Sequence, residues 1–314
     1  MSNRRNPSFF SSAAPEEEFI GLFRLPQPRT WLENVFSFVT LTSIFIGAVM
    51  AAILYFSFLL QSISSSTLLL LATFFLAISV YSLNKVTDLE EDSVNLPNRA
   101  RFVKKNRDLL LFASLESINI AVVLAFFSNP YAIVLILFPF YIGALYSIGV
   151  RRLRIKNVLL VKNIIAAATC TLAAVLLPLA VHVDIPLIVL MVAYFIFLKL
   201  FINSVLFDVR DIEGDRKAGV QTIPVSLGRK KTRNLLLLLN STLIVWVAFS
   251  LFQGLFYPYH FVLIFSVLYG YWYILRFTRA SAKTSGLIDL LVDGEWMILA
   301  MYATPFALGW PHII

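Results

Sequence analysis

Apolar residues run through this chain in blocks of roughly twenty, each closed by a short polar stretch, and roughly twenty apolar residues are what a helix needs to cross a bilayer. The pattern predicts nine membrane helices, at about 35–60, 67–87, 109–127, 130–148, 158–181, 185–207, 235–254, 257–276 and 289–309. A hydrophobic content of 59% with only 14% charged residues and a mean hydropathy of +0.81 exclude a soluble globular domain of this length. The fold class expected is therefore an all-α membrane protein.

Charge adds a direction to the helices. Basic residues gather in alternate loops: Arg4, Arg5, Arg24 and Arg29 before the first block, Lys85 to Arg107 after the second, Arg151 to Lys162 after the fourth, Arg210 to Arg233 after the sixth, and Arg276 to Lys283 after the eighth. The intervening turns carry none. Cytoplasmic loops are the ones enriched in Lys and Arg, so the N-terminus is expected in the cytoplasm of a cell-membrane protein and the C-terminus outside. The net charge of +8 then reports topology, and a nucleic-acid partner is not expected. Lys199 is the one basic residue outside these loops, and snorkelling or pairing with Glu116 of the third helix is expected of it.

The first eighteen residues, polar and without an apolar core, read as a disordered cytoplasmic tail (1–18); residues 19–314 read as one membrane domain. Phe19 to Trp31 suits a short interfacial helix. Cys170 is the one cysteine, so no disulfide framework is available.

Two acidic clusters break the apolar pattern. Asn84, Asp88 and Asp92 follow the second block, and Asp208, Asp211 and Asp215 follow the sixth. Four helices separate them, which puts both on the cytoplasmic face. Each spacing gives one stripe of oxygen ligands if the helix continues through it, and both stripes sit at helix C-termini, where the macrodipole disfavours carboxylates. A hard divalent cation such as Mg²⁺, bridging to a diphosphate, would compensate. Lys85, Arg99, Arg101, Arg210, Arg216 and Lys217 could meet the remaining phosphate oxygens. A charged head at the surface with an apolar tail between helices describes a prenyl diphosphate. Asp289, Asp293 and Glu295 start the ninth block, where acids suit the dipole, and are read as helix-start residues.

These residues resemble the UbiA superfamily of intramembrane prenyltransferases. The first motif is YSLNKVTDLEEDSVNLPNR, Tyr81 to Arg99; the second is DVRDIEGDRKAGVQTIPVSLG, Asp208 to Gly228. The stretch ALYSIGVRRLRIKNVLLVKN, Ala144 to Asn163, is similar to the family's Tyr-Ser element, and FRLPQPRTW to its approach to the first helix. The resemblance implies a bundle of nine transmembrane helices around a central cavity, with a cytoplasmic cap and a lateral opening to membrane lipid. It further implies that Asn84, Asp88, Asp92, Asp208, Asp211 and Asp215 hold Mg²⁺ and the diphosphate, with the five aspartates as the metal-binding catalytic set. Arg24, Arg99, Tyr146, Ser147, Lys162 and Lys217 are the further diphosphate-binding candidates.

The activity so implied is Mg²⁺-dependent transfer of a polyprenyl group from its diphosphate to a lipophilic acceptor, with an aromatic or quinone precursor expected. A glycerophosphate-type lipid is the alternative acceptor, although neutral Asn203-Ser-Val-Leu-Phe207 stands where members using it carry charges. Arg99-Ala-Arg-Phe-Val103 likewise departs from the usual Arg-Pro pattern. A cation-coupled transporter is the alternative of another class; it would more often bury its acids near the midplane.

Overall fold

The computed structural model describes residues 39, 41–148, 160–180, 186–279 and 288–309. They form α1 (Ile44–Leu60), α2 (Thr67–Thr87), α3 (Leu89–Asn95), α4 (Pro97–Lys105), α5 (Arg107–Ser128), α6 (Ala132–Ile148), α7 (Val161–Leu179), α8 (Pro186–Ala218), α9 (Ile223–Phe252), α10 (His260–Phe277), a π-helical turn (Asp289–Asp293) and α11 (Glu295–Ala307). No strand occurs among the described residues. The described part of each apolar block is largely helical. Six helices, α2, α5, α7, α8, α9 and α10, are long and apolar enough to cross a membrane, and α1 and Ala132–Ala144 are shorter apolar helices. The chain is an integral membrane protein. The tail 1–18, Arg24 and the 19–31 segment lie outside the described residues.

Local chemistry sets the breaks. The Ser66 hydroxyl accepts from the Leu69 N–H at 3.4 Å and caps α2. Pro97 opens α4 and drives Leu96 out of helical geometry, to φ −136° and ψ 64°, because the residue before a proline avoids the α region. Gly219 takes φ 72° and ends α8, after which the Val220 N–H turns back to the Asp215 carbonyl at 2.9 Å. That closure needs a left-handed residue, which glycine supplies without strain.

In the bundle α2 packs on α1, α5 and α6, α8 packs on α7 and α9, and α11 closes against α1. Aromatic rings hold the seam: Phe195 of α8 lies 5.1 Å from Trp246 of α9 and 6.1 Å from Trp296 of α11, and Trp296 lies 6.4 Å from Phe56 of α1. Rings of this size bury large apolar areas and prefer such tilted or edge contacts. Phe127, Val245, Phe252 and Phe261 are exposed, as lipid-facing positions require.

Lys199 departs from expectation. Its side chain is 0% exposed and its Nζ lies 2.7 Å from Glu295 Oε1, while Glu116 is exposed on α5. Lys199 also donates to the Ser266 carbonyl at 3.1 Å and sits 4.9 Å from the centre of the Tyr273 ring. Ser266 Oγ donates to Glu295 Oε1 at 2.6 Å. Helical phase places a residue only on its own helix, so the contact between the sixth and ninth blocks was beyond its reach. Glu295 does begin α11, but a buried cation holds it.

Candidate active site

Asn84 lies in the last turn of α2, Asp88 caps that helix, and Asp92 falls on α3. The single stripe expected on one helix is thus divided at Asp88, with φ −95° and ψ 14°. Register nevertheless survives, because Asp88 N–H donates to the Asn84 carbonyl and Asp92 N–H to the Asp88 carbonyl, both at 2.9 Å. The second cluster sits wholly on the 33-residue α8, so Asp208, Asp211 and Asp215 share one unbroken face.

A glycine brings the two motifs into contact. A Cβ at Gly214 would run into the Asn95 carboxamide of α3, so α3 can lie against α8 only because residue 214 has none.

Every cluster has basic company. Asp92 is buried and receives Arg99 Nε at 2.9 Å and Nη2 at 2.5 Å. Burial pushes its carboxyl above the usual range, and the Arg99 guanidinium pulls against that rise. Asp208 is 1% exposed; it accepts from Lys162 Nζ at 2.7 Å and from Asn163 Nδ2 at 2.8 Å. Asp211 receives Arg210 Nε and Nη2, each at 2.8 Å, while Arg210 Nη1 reaches Asp289 at 2.9 Å. Asp215 Oδ2 is buried with no hydrogen-bond partner among the described residues.

A chamber of about 330 Å³ opens among α1, α2, α6, α7 and α8, lined in part by Asn84, Asp88, Lys162, Asn203, Ser204 and Asp293. The remaining lining includes Met50, Thr73, Leu76, Ala77, Leu200 and Phe207, and along α7 the small residues Ala166, Ala167, Cys170, Ala173 and Ala174. Thr73 to Asp88 is about 22 Å of helix at the usual rise. Asp88 and Lys162 lie at the end of α2 and the start of α7, Asp293 joins them from the π-helical turn, and the rest of the wall carries no charged side chain. The chamber is long, small-walled along α7, and charged where the acidic motifs meet it.

Several anticipated residues are therefore gathered: Asn84, Asp88 and Lys162 face the chamber, Lys162 bridges to Asp208, and Arg99 holds Asp92. Lys217 is exposed at the end of α8, and Tyr146 and Ser147 fall in the last turn of α6. Lys85 was expected to meet phosphate, but its Nζ donates to the Leu41 carbonyl at 2.9 Å and to Ser43 Oγ at 3.0 Å. Sequence reasoning passed over Asn163 as a partner of Asp208, although its neighbour Lys162 was singled out. It also read Asp289 and Asp293 as helix-start residues, whereas Asp289 pairs with Arg210 and Asp293 lines the chamber.

Among the described residues no three His, Cys, Asp or Glu side chains already converge as a metal cluster. The donors present are all carboxylate or carboxamide oxygens, the chemistry a hard divalent cation takes. Asp215 offers a buried oxygen with no partner, so the residues fit such an ion.

The model of the UbiA prenyltransferase family matches residues 33–291. A curated relative, the digeranylgeranylglyceryl phosphate synthase of Pyrococcus furiosus, is 30% identical over 174 residues, which are 55% of this chain and 60% of that protein; the match thus spans less than two thirds of the relative's length. The fold is similar to that of a UbiA homologue from Archaeoglobus fulgidus bound to GPP and Mg²⁺, at TM-score 0.63 and 16% identity over 85% of this chain and 98% of the other. It is also similar to a UbiA homologue from Aeropyrum pernix K1 in its apo form, at TM-score 0.60 and 18% identity over 83% and 98% of the two chains.

Proposed function

The chain belongs to the UbiA prenyltransferase family, and from that premise we propose that it is an intramembrane enzyme transferring a polyprenyl group from its diphosphate to a lipophilic acceptor, with Mg²⁺ as cofactor. The observation that carries this reading is the chamber itself. A long apolar pocket ends at Asp88 and Lys162, beside a second set of aspartates on α8, which is the shape and polarity of a prenyl diphosphate. In the same reading the bundle crosses the membrane nine times, with the acidic motifs under a cap on the cytoplasmic side, the N-terminus in the cytoplasm and the C-terminus outside.

Asn84, Asp88, Asp92, Asp208, Asp211 and Asp215 hold the cation and, through it, the diphosphate. Mg²⁺, when bound, neutralises the charge growing on the leaving oxygens. Lys162 adds a second cation at the chamber wall; it donates to Asp208 now and can turn to a phosphate oxygen without leaving that carboxylate's vicinity. Arg24, Arg99, Tyr146, Ser147 and Lys217 are further contacts for the diphosphate. The apolar wall excludes water from the allylic cation until the acceptor captures it.

Two acceptor classes have a specific support each. The Pyrococcus relative's name points to a glycerophosphate-type lipid, whereas the neutral Asn203 and Ser204 in the chamber wall suit an aromatic or quinone precursor. Purified protein given geranylgeranyl diphosphate, with either geranylgeranylglyceryl phosphate or 4-hydroxybenzoate, separates them by product mass. Diphosphate release that requires Mg²⁺ and one acceptor is the expected result; no release with any donor length would overturn the transfer reading.

A further inference from the structure

Asp293 is a carboxylate on the chamber wall with no ion pair or hydrogen bond among the described residues. Its neighbours are all held. Asp289 is bonded to Arg210 at 2.9 Å, the Leu291 carbonyl accepts from Tyr269 Oη at 2.9 Å, the Val292 carbonyl accepts from Asn203 Nδ2 at 3.4 Å, and Glu295 is bonded to Lys199 at 2.7 Å. The segment carrying Asp293 is a π-helical turn, Asp289–Asp293, a geometry found frequently at functional sites. A Cβ at Gly294 would strike the Leu290 carbonyl, so the turn depends on a glycine just past the aspartate. Four ties from α8 and α10 thus fix a side chain that itself bonds to nothing described. An unpaired carboxylate inside a membrane bundle is costly, which points to a ligand as its missing partner.

Chemistry narrows that ligand. A carboxyl enclosed by an apolar bundle with no bonded cation favours its uncharged form, which both donates and accepts hydrogen bonds, so the partner is a group that exchanges hydrogen bonds. The diphosphate belongs with Lys162 and the motif carboxylates, and a prenyl chain has no hydrogen-bonding group. Arg210, the nearby cation, is already committed to Asp211 and Asp289. Resting on the transfer reading above, which puts two molecules in this chamber, we infer that Asp293 is an acceptor-binding residue: its carboxyl exchanges a hydrogen bond with an uncharged hydroxyl on the acceptor and holds that hydroxyl within the chamber. Phenols and the alcohol group of a glycerolipid share this chemistry. Any anionic group on the acceptor stays away from this wall.

The test separates donor from acceptor. Full-length protein with Mg²⁺ is assayed for binding of radiolabelled geranylgeranyl diphosphate, and for the acceptor KM with 4-hydroxybenzoate and with geranylgeranylglyceryl phosphate. Asp293→Leu is expected to keep donor affinity within about twofold and to raise the KM of whichever acceptor is used by about tenfold, the effect of leaving a buried hydroxyl without its hydrogen-bond partner. Asp293→Asn, which keeps an accepting oxygen, should fall between. Both variants should fold, since each replaces a chamber-wall carboxyl that is bonded to no described residue. An unchanged acceptor KM in Asp293→Leu overturns the assignment and leaves prenyl transfer standing. Equal loss of donor affinity overturns it too, by making Asp293 part of the diphosphate site. Wild-type protein that releases no diphosphate with either acceptor at any donor length defeats the transfer reading, and this assignment falls with it.

Discussion

Two sets of charges in this bundle answer the same electrostatic problem in different ways. Lys199 and Glu295 are both 0% exposed and bonded at 2.7 Å, enclosed by Ser266 and Tyr273. At the acidic motifs the partners are less sealed: Lys162 is 29% exposed beside an Asp208 that is 2% exposed, and Arg99 is 31% exposed beside Asp92 at 9%. The interior pair is not among the residues that line the chamber and is shut off from solvent, so its consequence is geometric: it fastens α8 to α11. The motif pairs each join a buried carboxylate to a cation that still meets solvent or the chamber, so either member can take up a ligand. Charges that are equally close can thus serve structure or chemistry, and access decides which.

The sharpest way to break this comparison is to remove motif carboxylates. Asp88→Ala and Asp211→Ala are expected to lower turnover by about 10²–10³-fold, the scale of losing a preorganised electrostatic contact to the transition state, while leaving the detergent melting temperature close to wild type. Full activity in either variant would sink the assignment of the cation to these residues.

The interior pair should show the reverse. Lys199→Met leaves Glu295 charged and buried, at a cost of about 3–5 kcal/mol, and the double change with Glu295→Leu should restore much of it because two apolar side chains replace a desolvated pair. Thermal unfolding of both variants and the wild type measures this. A single variant as stable as wild type would mean that the pair does not fasten α8 to α11.

A smaller effect tests how the motifs meet. Gly214→Ala must displace the Asn95 carboxamide, with an expected stability loss of about 1–3 kcal/mol, typical of overpacking, and lower turnover from the parting of α3 and α8. Asn95→Ala in the same chain should relieve the clash and recover activity. Failure of that rescue would show that the glycine matters for some other reason.

Much of this was legible in the sequence, and the illegible part has a common cause. The six long apolar helices were announced by their blocks because lipid demands about twenty apolar residues in a row, and the acidic motifs stood out because charge beside such blocks is expensive. Lys199 was equally visible as the one basic residue outside the basic loops, yet its partner was misassigned. Pairing across 96 residues depends on which helices adjoin, and hydropathy carries no such information. Asp293 was hidden for another reason. Acids at the start of a helix are common, so its position had a sufficient local explanation, and only the chamber wall reveals a second role. The break at Asp88 was unreadable because no proline or glycine marks it.

The mildest prediction concerns Arg99, and it probes the boundary between the two kinds of pair. Because its side chain is 31% exposed, solvent screens the bond to Asp92, and Arg99→Met should cost about 1 kcal/mol or less, well below the Lys199→Met penalty. The sign of the pH response follows from Asp92. Burial already raises its carboxyl above the unfolded value, so the folded protein binds that proton more readily than the unfolded one, and this group's contribution to stability falls as pH rises through the folded pKa. Without Arg99 the opposing pull is lost and the carboxyl rises further. Arg99→Met should therefore recover more stability than wild type when pH is lowered from 7 to 5, and Asp92→Asn should abolish the difference. Melting curves of the three proteins at both pH values measure it; a response in Arg99→Met no larger than wild type would mean that Asp92 is solvated, and that the motif pairs are more open than their distances suggest.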